Sequence, residues 1–380
     1  MTTLGIVGTG FVADLYMASL ATFPALKLAA AHDHRPEALS RFAARWPVPQ
    51  AASLPDLLHR VGPGGLILNL TNPSAHYEIS HQCLTAGLHV YSEKPLAMRT
   101  ADARALTDLA AAKGLLIASA PCSALSEAAQ TLGAALRDPR TGTPRLIYAE
   151  LDDGYIPQAP YRQWLSDSGA PWPAQDEFEV GCTVEHAGYY LTWLMALFGP
   201  VRSVTAASAS LVAAELPTPN PAPDFSTATL FFHSGMVARL TCSIIAPHNH
   251  AIRIVTDKGI VELDQAWNNT APVRFRSRFP LRRRLVTSPI ARRMRLTGPT
   301  HPKVGRWGAA SMNFALGPAE MVQALAENRP CRMSADLALH LTEVTLAIQQ
   351  AGDHSGAQAM TTTFAPVAPM PWAQSLRGAT

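Results

Sequence analysis

Glu185, His186, Tyr189 and Tyr190 crowd one short stretch, EVGCTVEHAGYYLTWL at 179–194. Each side chain can lose, gain or share a proton. Glu185 and Tyr189 are four residues apart, so on a helix they share a face. A carboxylate and a phenol placed together can orient a substrate and exchange its proton. His186 is the rival for that task. Helical geometry turns it about 100° from Glu185, which favours a structural role, though it is kept as a substrate-contact candidate. Tyr190 is expected to pack. Another reactive group, Lys94, closes the strand-like segment LHVYSEKP. An ammonium there can stabilise alkoxide character on a substrate oxygen.

These groups need a scaffold, and the first third of the chain spells one out. LGIVGTGFVADLYMASL opens with an apolar strand, then sets Gly8, Gly10 and Ala13 in the spacing G-x-G-x-x-A before a helical pattern. A second strand, LKLAAAHD, ends in Asp33. This is the dinucleotide-binding fingerprint in its proper context. Gly8 permits the tight turn, Gly10 lets backbone approach a pyrophosphate, and Ala13 lets helix and strand pack closely. The helix start, with Thr9, Phe11 and Val12, offers N–H groups to phosphates. Asp33 can accept from a ribose 2′-hydroxyl, which favours NAD. His34 and Arg35 flank it, and Arg35 could accommodate a 2′-phosphate, so NADP is the alternative cofactor.

Strands then alternate with helices through LLIASAP, which predicts a doubly wound parallel sheet over 1–121. Ligands bind beyond the carboxyl ends of such strands. Thr71, Asn72, Glu93 and Lys94 all fall at such ends. Residues 122–353 predict an α+β domain. Its strands, from PRLIYAELDDGYI to GIVELD, are joined by tight turns such as HSGM and DKGI, so its sheet should be mostly antiparallel. The segment 354–380 is rich in Pro, Ala and Thr and reads as a surface arm.

Composition sets limits. The chain has 380 residues, 48% hydrophobic and 16% charged, enough for a large core. No signal-peptide pattern and no long apolar run occur, so a cytoplasmic protein without a membrane span is expected. Five scattered cysteines without a CxxC pair argue against a zinc site or a disulfide framework, and no metal is expected. The net charge of +3 is uneven. Residues 274–306 hold eleven Lys or Arg and no acid, which leaves the remainder at −8. The basic segment RFRSRFPLRRRLVTSPIARRMR lacks a nucleic-acid module. It reads as a subunit interface or a solvated loop, although a phosphate-bearing substrate such as a nucleotide sugar would also suit it.

The combination GTGFVA, TNPSAHYE and AGLHVYSEKPLAM resembles the Gfo/Idh/MocA oxidoreductase family. That resemblance implies a Rossmann domain, an open-faced substrate sheet that also builds a homodimer or homotetramer, and a sugar, polyol or related cyclic substrate. It sets Lys94 against the nicotinamide and the substrate. It brings Thr71, Asn72 and His76 near the nicotinamide ribose and phosphates, though His76 could also be a helix-start residue facing water. Family members typically carry Asp-x-x-x-His on one helix face. Here Glu185 and Tyr189 stand at those positions, and some sugar oxidoreductases of the family are similar in using tyrosine at the second. A neighbouring Lys94 is expected to lower the Tyr189 pKa.

The implied activity is NAD(P)-dependent hydride transfer with a secondary alcohol or ketone. Lys94, Tyr189 and Glu185 would be catalytic, and His186 would touch substrate. Tyr155, Arg162 and Trp164, in or just before the aromatic-rich PQAPYRQWLSDSGAPWPAQDEFEVG, are further candidates for substrate contact. Two other readings stay open: a glycosidase or eliminase that oxidises its substrate transiently, and a redox-silent dinucleotide-binding sensor or assembly protein.

Overall fold

The computed structural model describes residues 2–353 and 356–378. Five strands form the first sheet: β1 (Thr3–Val7), β2 (Lys27–His32), β3 (Leu66–Asn69), β4 (His89–Ser92) and β5 (Ile117–Ser119). They are all parallel, in the order β2-β1-β3-β4-β5. Helices cover both faces, so β3 and β4 are buried along their whole length. The strand order reverses between β1 and β3, and the crevice at their carboxyl ends is where such sheets bind ligands. Gly8 sits there with φ +92°, and a Cβ on it would lie 2.5 Å from the Leu70 carbonyl oxygen. Only glycine suits both the conformation and the space.

The second sheet holds ten strands: β6 (Pro144–Asp152), β7 (Val201–Ala209), β8 (Phe225–Phe232), β9 (Val237–Ser243), β10 (Ile252–Thr256), β11 (Gly259–Leu263), β12 (Arg274–Leu281), β13 (Arg284–Thr287), β14 (Arg292–Arg293) and β15 (Gln358–Ala359). Their order is β13-β12-β11-β10-β6-β9-β8-β7-β15, with β14 on β12. Among the described residues, β6–β9 is the one parallel strand pair in this sheet. Burial alternates along β8, so one face is packed and the other open. Helices Gly188–Phe198 and Ala335–Gln349 lie on the packed side, and the second also reaches the first sheet through Ala338 and Leu339.

One expectation needs correction. The basic segment is not a loop. It forms β12, β13 and β14, because cross-strand acids take up some of its charge: Arg274 pairs with Asp264 at 2.9 Å, and Arg276 with Glu262. The described part of the 354–380 arm runs over the surface and is docked there. Gln358 and Ala359 pair with β7, while Phe364, Ala373 and Leu376 are buried, since scattered apolar residues suffice to dock a proline-rich strand. His354, Ser355, Ala379 and Thr380 of that arm, and Met1, lie outside the described residues. Among the described residues no helix is long and apolar enough to cross a membrane.

Candidate active site

A cleft of about 560 Å³ runs between the two sheets. Its floor comes from the loops after β1, β3 and β4, and its far wall from the helical turn before Gly188. Gly10, Phe11 and Val12 line it at the start of helix Phe11–Leu20. No side chain caps this helix, and a Cβ on Gly10 would meet nothing within 4 Å. Free first-turn N–H groups facing open space suit a pyrophosphate, so this chain's residues fit a dinucleotide.

Asp33 braces that loop. Its carboxylate accepts the Thr9 N–H at 2.8 Å, the Thr9 hydroxyl at 2.9 Å and the Arg35 N–H at 2.9 Å. Burial works to raise its pKa, but these bonds outweigh it and hold the carboxyl below its ordinary value. Arg35 lines the cleft, whereas His34 points to solvent.

The β3 and β4 exits are tied together. The Asn69 amide donates to the His76 carbonyl at 3.1 Å and to the Ser80 hydroxyl at 3.0 Å, while the Thr71 hydroxyl donates to Asn69 at 2.7 Å. His76 does not face water. It is fully buried with Nδ1 2.7 Å from the Pro95 carbonyl and Nε2 2.9 Å from that of Thr71. Burial pushes its pKa down. Asn72 reaches across the cleft and donates to Asp176 at 2.6 Å. Glu93 accepts the Tyr16 hydroxyl at 2.7 Å. The Lys94–Pro95 peptide is cis.

The far wall departs from a plain helix. Helix Ala174–Val180 stops at Gly181, φ +93°, where a Cβ would run into the Gln349 amide. Thr183–Ala187 then form a π-helical turn that continues into helix Gly188–Phe198. His186 lies within this turn. It follows Glu185 there, and both line the cleft together with Tyr189.

Lys94 Nζ hydrogen-bonds to the Glu185 carboxylate across the cleft. Burial disfavours the charged lysine, yet the carboxylates of Glu185 and Glu177 outweigh it and raise its pKa. Burial likewise raises Glu185 against the pull of Lys94, and pushes Glu177 well up, with the Glu185 charge adding to the effect. The expected lowering of Tyr189 does not occur. Lys94 pulls in that direction, but burial is larger and the phenol is raised. Burial takes His186 down to about 4, so at neutral pH it is uncharged.

The Tyr189 ring lies 5.0 Å from that of Trp267, and its hydroxyl has no hydrogen-bond partner among the described residues. His186 stacks on the same indole at 5.8 Å, with Nδ1 3.7 Å from Asp153 and Nε2 3.7 Å from Glu177. Trp164 lines the cleft beside Trp172, ring centroids 5.2 Å apart. Tyr155 and Arg162 are not brought in. Tyr155 is exposed at φ +55°, and Arg162 lies over the ring of Tyr161, away from the cleft lining. Tyr190 is fully buried, as expected.

Glu177, Asp153 and Trp267 were missed by sequence reading. Asp153 alone carried a signal, an acid at a strand end followed by glycine. The arrangement offers a cation beside a protonated phenol, walled by aromatic rings.

Comparison with known proteins fits this geometry. Residues 2–120 match the oxidoreductase family model with an NAD-binding Rossmann fold, and 129–262 match the GFO/IDH/MocA C-terminal domain. No protein of curated function matches the chain in sequence. The fold is similar to UDP-N-acetylglucosamine 3-dehydrogenase GnnA from Acidithiobacillus ferrooxidans (20% identity, TM-score 0.67, covering 92% of this chain and 97% of that one). It is also similar to the WlbA dehydrogenase from Bordetella pertussis, solved with NADH and UDP-GlcNAcA (19%, 0.70, 94% and 98%). A third likeness is an oxidoreductase from Agrobacterium radiobacter, solved with NAD+, L-tartaric acid and magnesium (14%, 0.73, 94% and 98%). With both family models matched along two-thirds of its length and the glycine loop, lysine and acid–base wall in one cleft, the chain belongs to the Gfo/Idh/MocA family of NAD-binding oxidoreductases.

Proposed function

We propose that the cleft interconverts a secondary alcohol and a ketone on a sugar, polyol or sugar nucleotide. The observation that carries this is the Lys94–Glu185 pair beside the unpartnered Tyr189 hydroxyl. The bound nicotinamide supplies or accepts the hydride. The chain's own residues manage the oxygen. Lys94, kept charged by Glu185, polarises the substrate carbonyl and holds the alkoxide. Tyr189, kept protonated, donates to that oxygen in the reductive direction. Glu185 fixes the lysine and orients the adjacent hydroxyl, and Trp164 and Trp172 offer apolar faces to a pyranose ring. Gly8 through Val12, Thr71, Asn72, His76 and Glu93 shape the dinucleotide seat. Asp33 favours NAD over NADP. The open face of the second sheet would support a homodimer or homotetramer.

The test is a panel of sugars, keto-sugars and UDP-sugars followed at the nicotinamide absorbance, with Tyr189→Phe alongside. Tyr189→Phe should lower kcat by about 10²–10⁴-fold. If it leaves kcat intact while His186→Ala abolishes turnover, the assignment of the acid is wrong. Thermal shifts with NAD and with NADP decide the cofactor.

A second reading has one observation in its favour. Burial raises the Glu177 carboxyl well above its ordinary pKa in the cleft, and in its protonated form such an acid could assist a leaving group after transient oxidation. Substrate breakdown without net NADH accumulation would select that reading.

A further inference from the structure

Beside the cleft, three side chains that hydride transfer leaves unused converge. Asp153 follows β6, and His248 and His250 lie between β9 and β10. Backbone bonds fasten the two segments: Asp152 N–H to Asn249 O at 3.0 Å and Asn249 N–H to Asp152 O at 2.9 Å. The chain therefore sets both imidazoles opposite the carboxylate by its own pairing. One donor atom from each of the three lies within 4.8 Å of the others. Asp153 Oδ1 is 3.3 Å from His250 Nε2 and 3.7 Å from His248 Nδ1.

An independent observation points to a ligand. His250 is 1% exposed, and among the described residues neither of its ring nitrogens has a hydrogen-bond partner. Buried imidazole nitrogens are ordinarily bonded. Here Nε2 faces Asp153 without making a hydrogen bond. Its separation matches another geometry. Ligands about 2.1 Å from a tetrahedral metal sit about 3.4 Å from one another.

We propose that Asp153, His248 and His250 bind a divalent transition-metal ion of the zinc class. Two imidazoles and one carboxylate suit such an ion, whereas magnesium and calcium prefer all-oxygen shells. The metal would satisfy His250 Nε2. His248 is half exposed and gives the ion a route from solvent. Asp153 also lines the cleft, so the open coordination position faces it and can take water or a substrate oxygen. The absence of CxxC pairs excluded only a cysteine site. This inference stands independently of the hydride chemistry.

The test uses the full-length protein, stripped with chelator and titrated calorimetrically with ZnCl₂ and, in parallel, MgCl₂. One Zn²⁺ per chain is expected. His250→Ala and His248→Ala should each weaken binding by roughly a hundredfold or more. Cobalt(II) in the same site should show visible d–d bands that both variants lose. Should His250→Ala fail to fold, the half-exposed His248→Ala decides, its fold checked by the thermal shift with NAD. No saturable Zn²⁺ binding, or binding unchanged in the variants, overturns the site. Mg²⁺ bound as tightly as Zn²⁺ overturns its assignment to a transition metal.

Discussion

The two sides of the cleft treat their polar groups differently. On the parallel-sheet side, most polar side chains at the strand exits are bonded, although the Tyr91 and Ser92 hydroxyls of β4 have no partner among the described residues. Thr9 meets Asp33, Asn69 meets Thr71 and Ser80, His76 meets two carbonyls, and Glu93 meets Tyr16. On the opposite wall the Trp267 indole N–H and both His250 nitrogens have no hydrogen-bond partner among the described residues. His186 stands 3.7 Å from its nearest carboxylates. A satisfied network is rigid and presents one shape, which suits a cofactor of constant shape. Unsatisfied groups cost stability and are kept where something else completes them. One side is a fixed seat, and the other is a set of open hands.

Lys94 bridges the two sides, so its loss should give the largest effect. Lys94→Met should lower kcat/KM by about 10³-fold while the thermal shift with NAD persists. If the shift disappears as well, Lys94 belongs to the seat and the contrast fails.

Asn69→Ala strikes the seat itself. It strands the Ser80 hydroxyl, the His76 carbonyl and the Thr71 hydroxyl in a buried place. Urea unfolding should show a loss of about 3 kcal/mol. An unchanged midpoint would mean that the network is ornamental.

Protons probe the open wall. The folded pKa of His186 is about 4, below its unfolded value near 6.5. Between those values the unfolded chain binds a proton that the native chain refuses. Stability is therefore complete above about pH 6.5 and falls towards pH 4, at up to about 1.4 kcal/mol per pH unit. His301 and His340 behave alike. His186→Gln should remove one proton's share of the slope in urea titrations across this range. The difference between variant and parent isolates the histidine from Glu177, whose raised carboxyl acts in the opposite sense. An unaltered slope would mean that His186 is already charged.

The smallest effect is expected at Arg162. It stands outside the cleft lining, so Arg162→Ala should change KM by about twofold or less. A larger change would extend the open wall outward.

The scaffold was legible because its signals are local. The spacing of Gly8, Gly10 and Ala13 and the alternation of strand and helix each occupy one window. Lys94, Glu185 and Tyr189 were legible through the family resemblance. His186 was left between a structural role and substrate contact, because nothing in TVEHA shows which way its ring faces. Asp153, Glu177 and Trp267 stayed hidden because they arrive from three separate segments, joined only by the fold. The arginine-rich strands were obscured by charge, which the acids of β11 and its following loop offset only once paired.

Helix Ala335–Gln349 has a consequence for the order in which this protein can be made. Ala338 and Leu339 complete the apolar cluster that also holds Val7, Ala30 and Ile117 of the first sheet. All five parallel strands leave the ribosome more than two hundred residues before that helix does. Until then the earliest part of the molecule carries an uncovered greasy flank. A chain terminated short of residue 335 would keep it bare, so messages cut late in the gene should yield sticky products rather than a spare nucleotide-binding half.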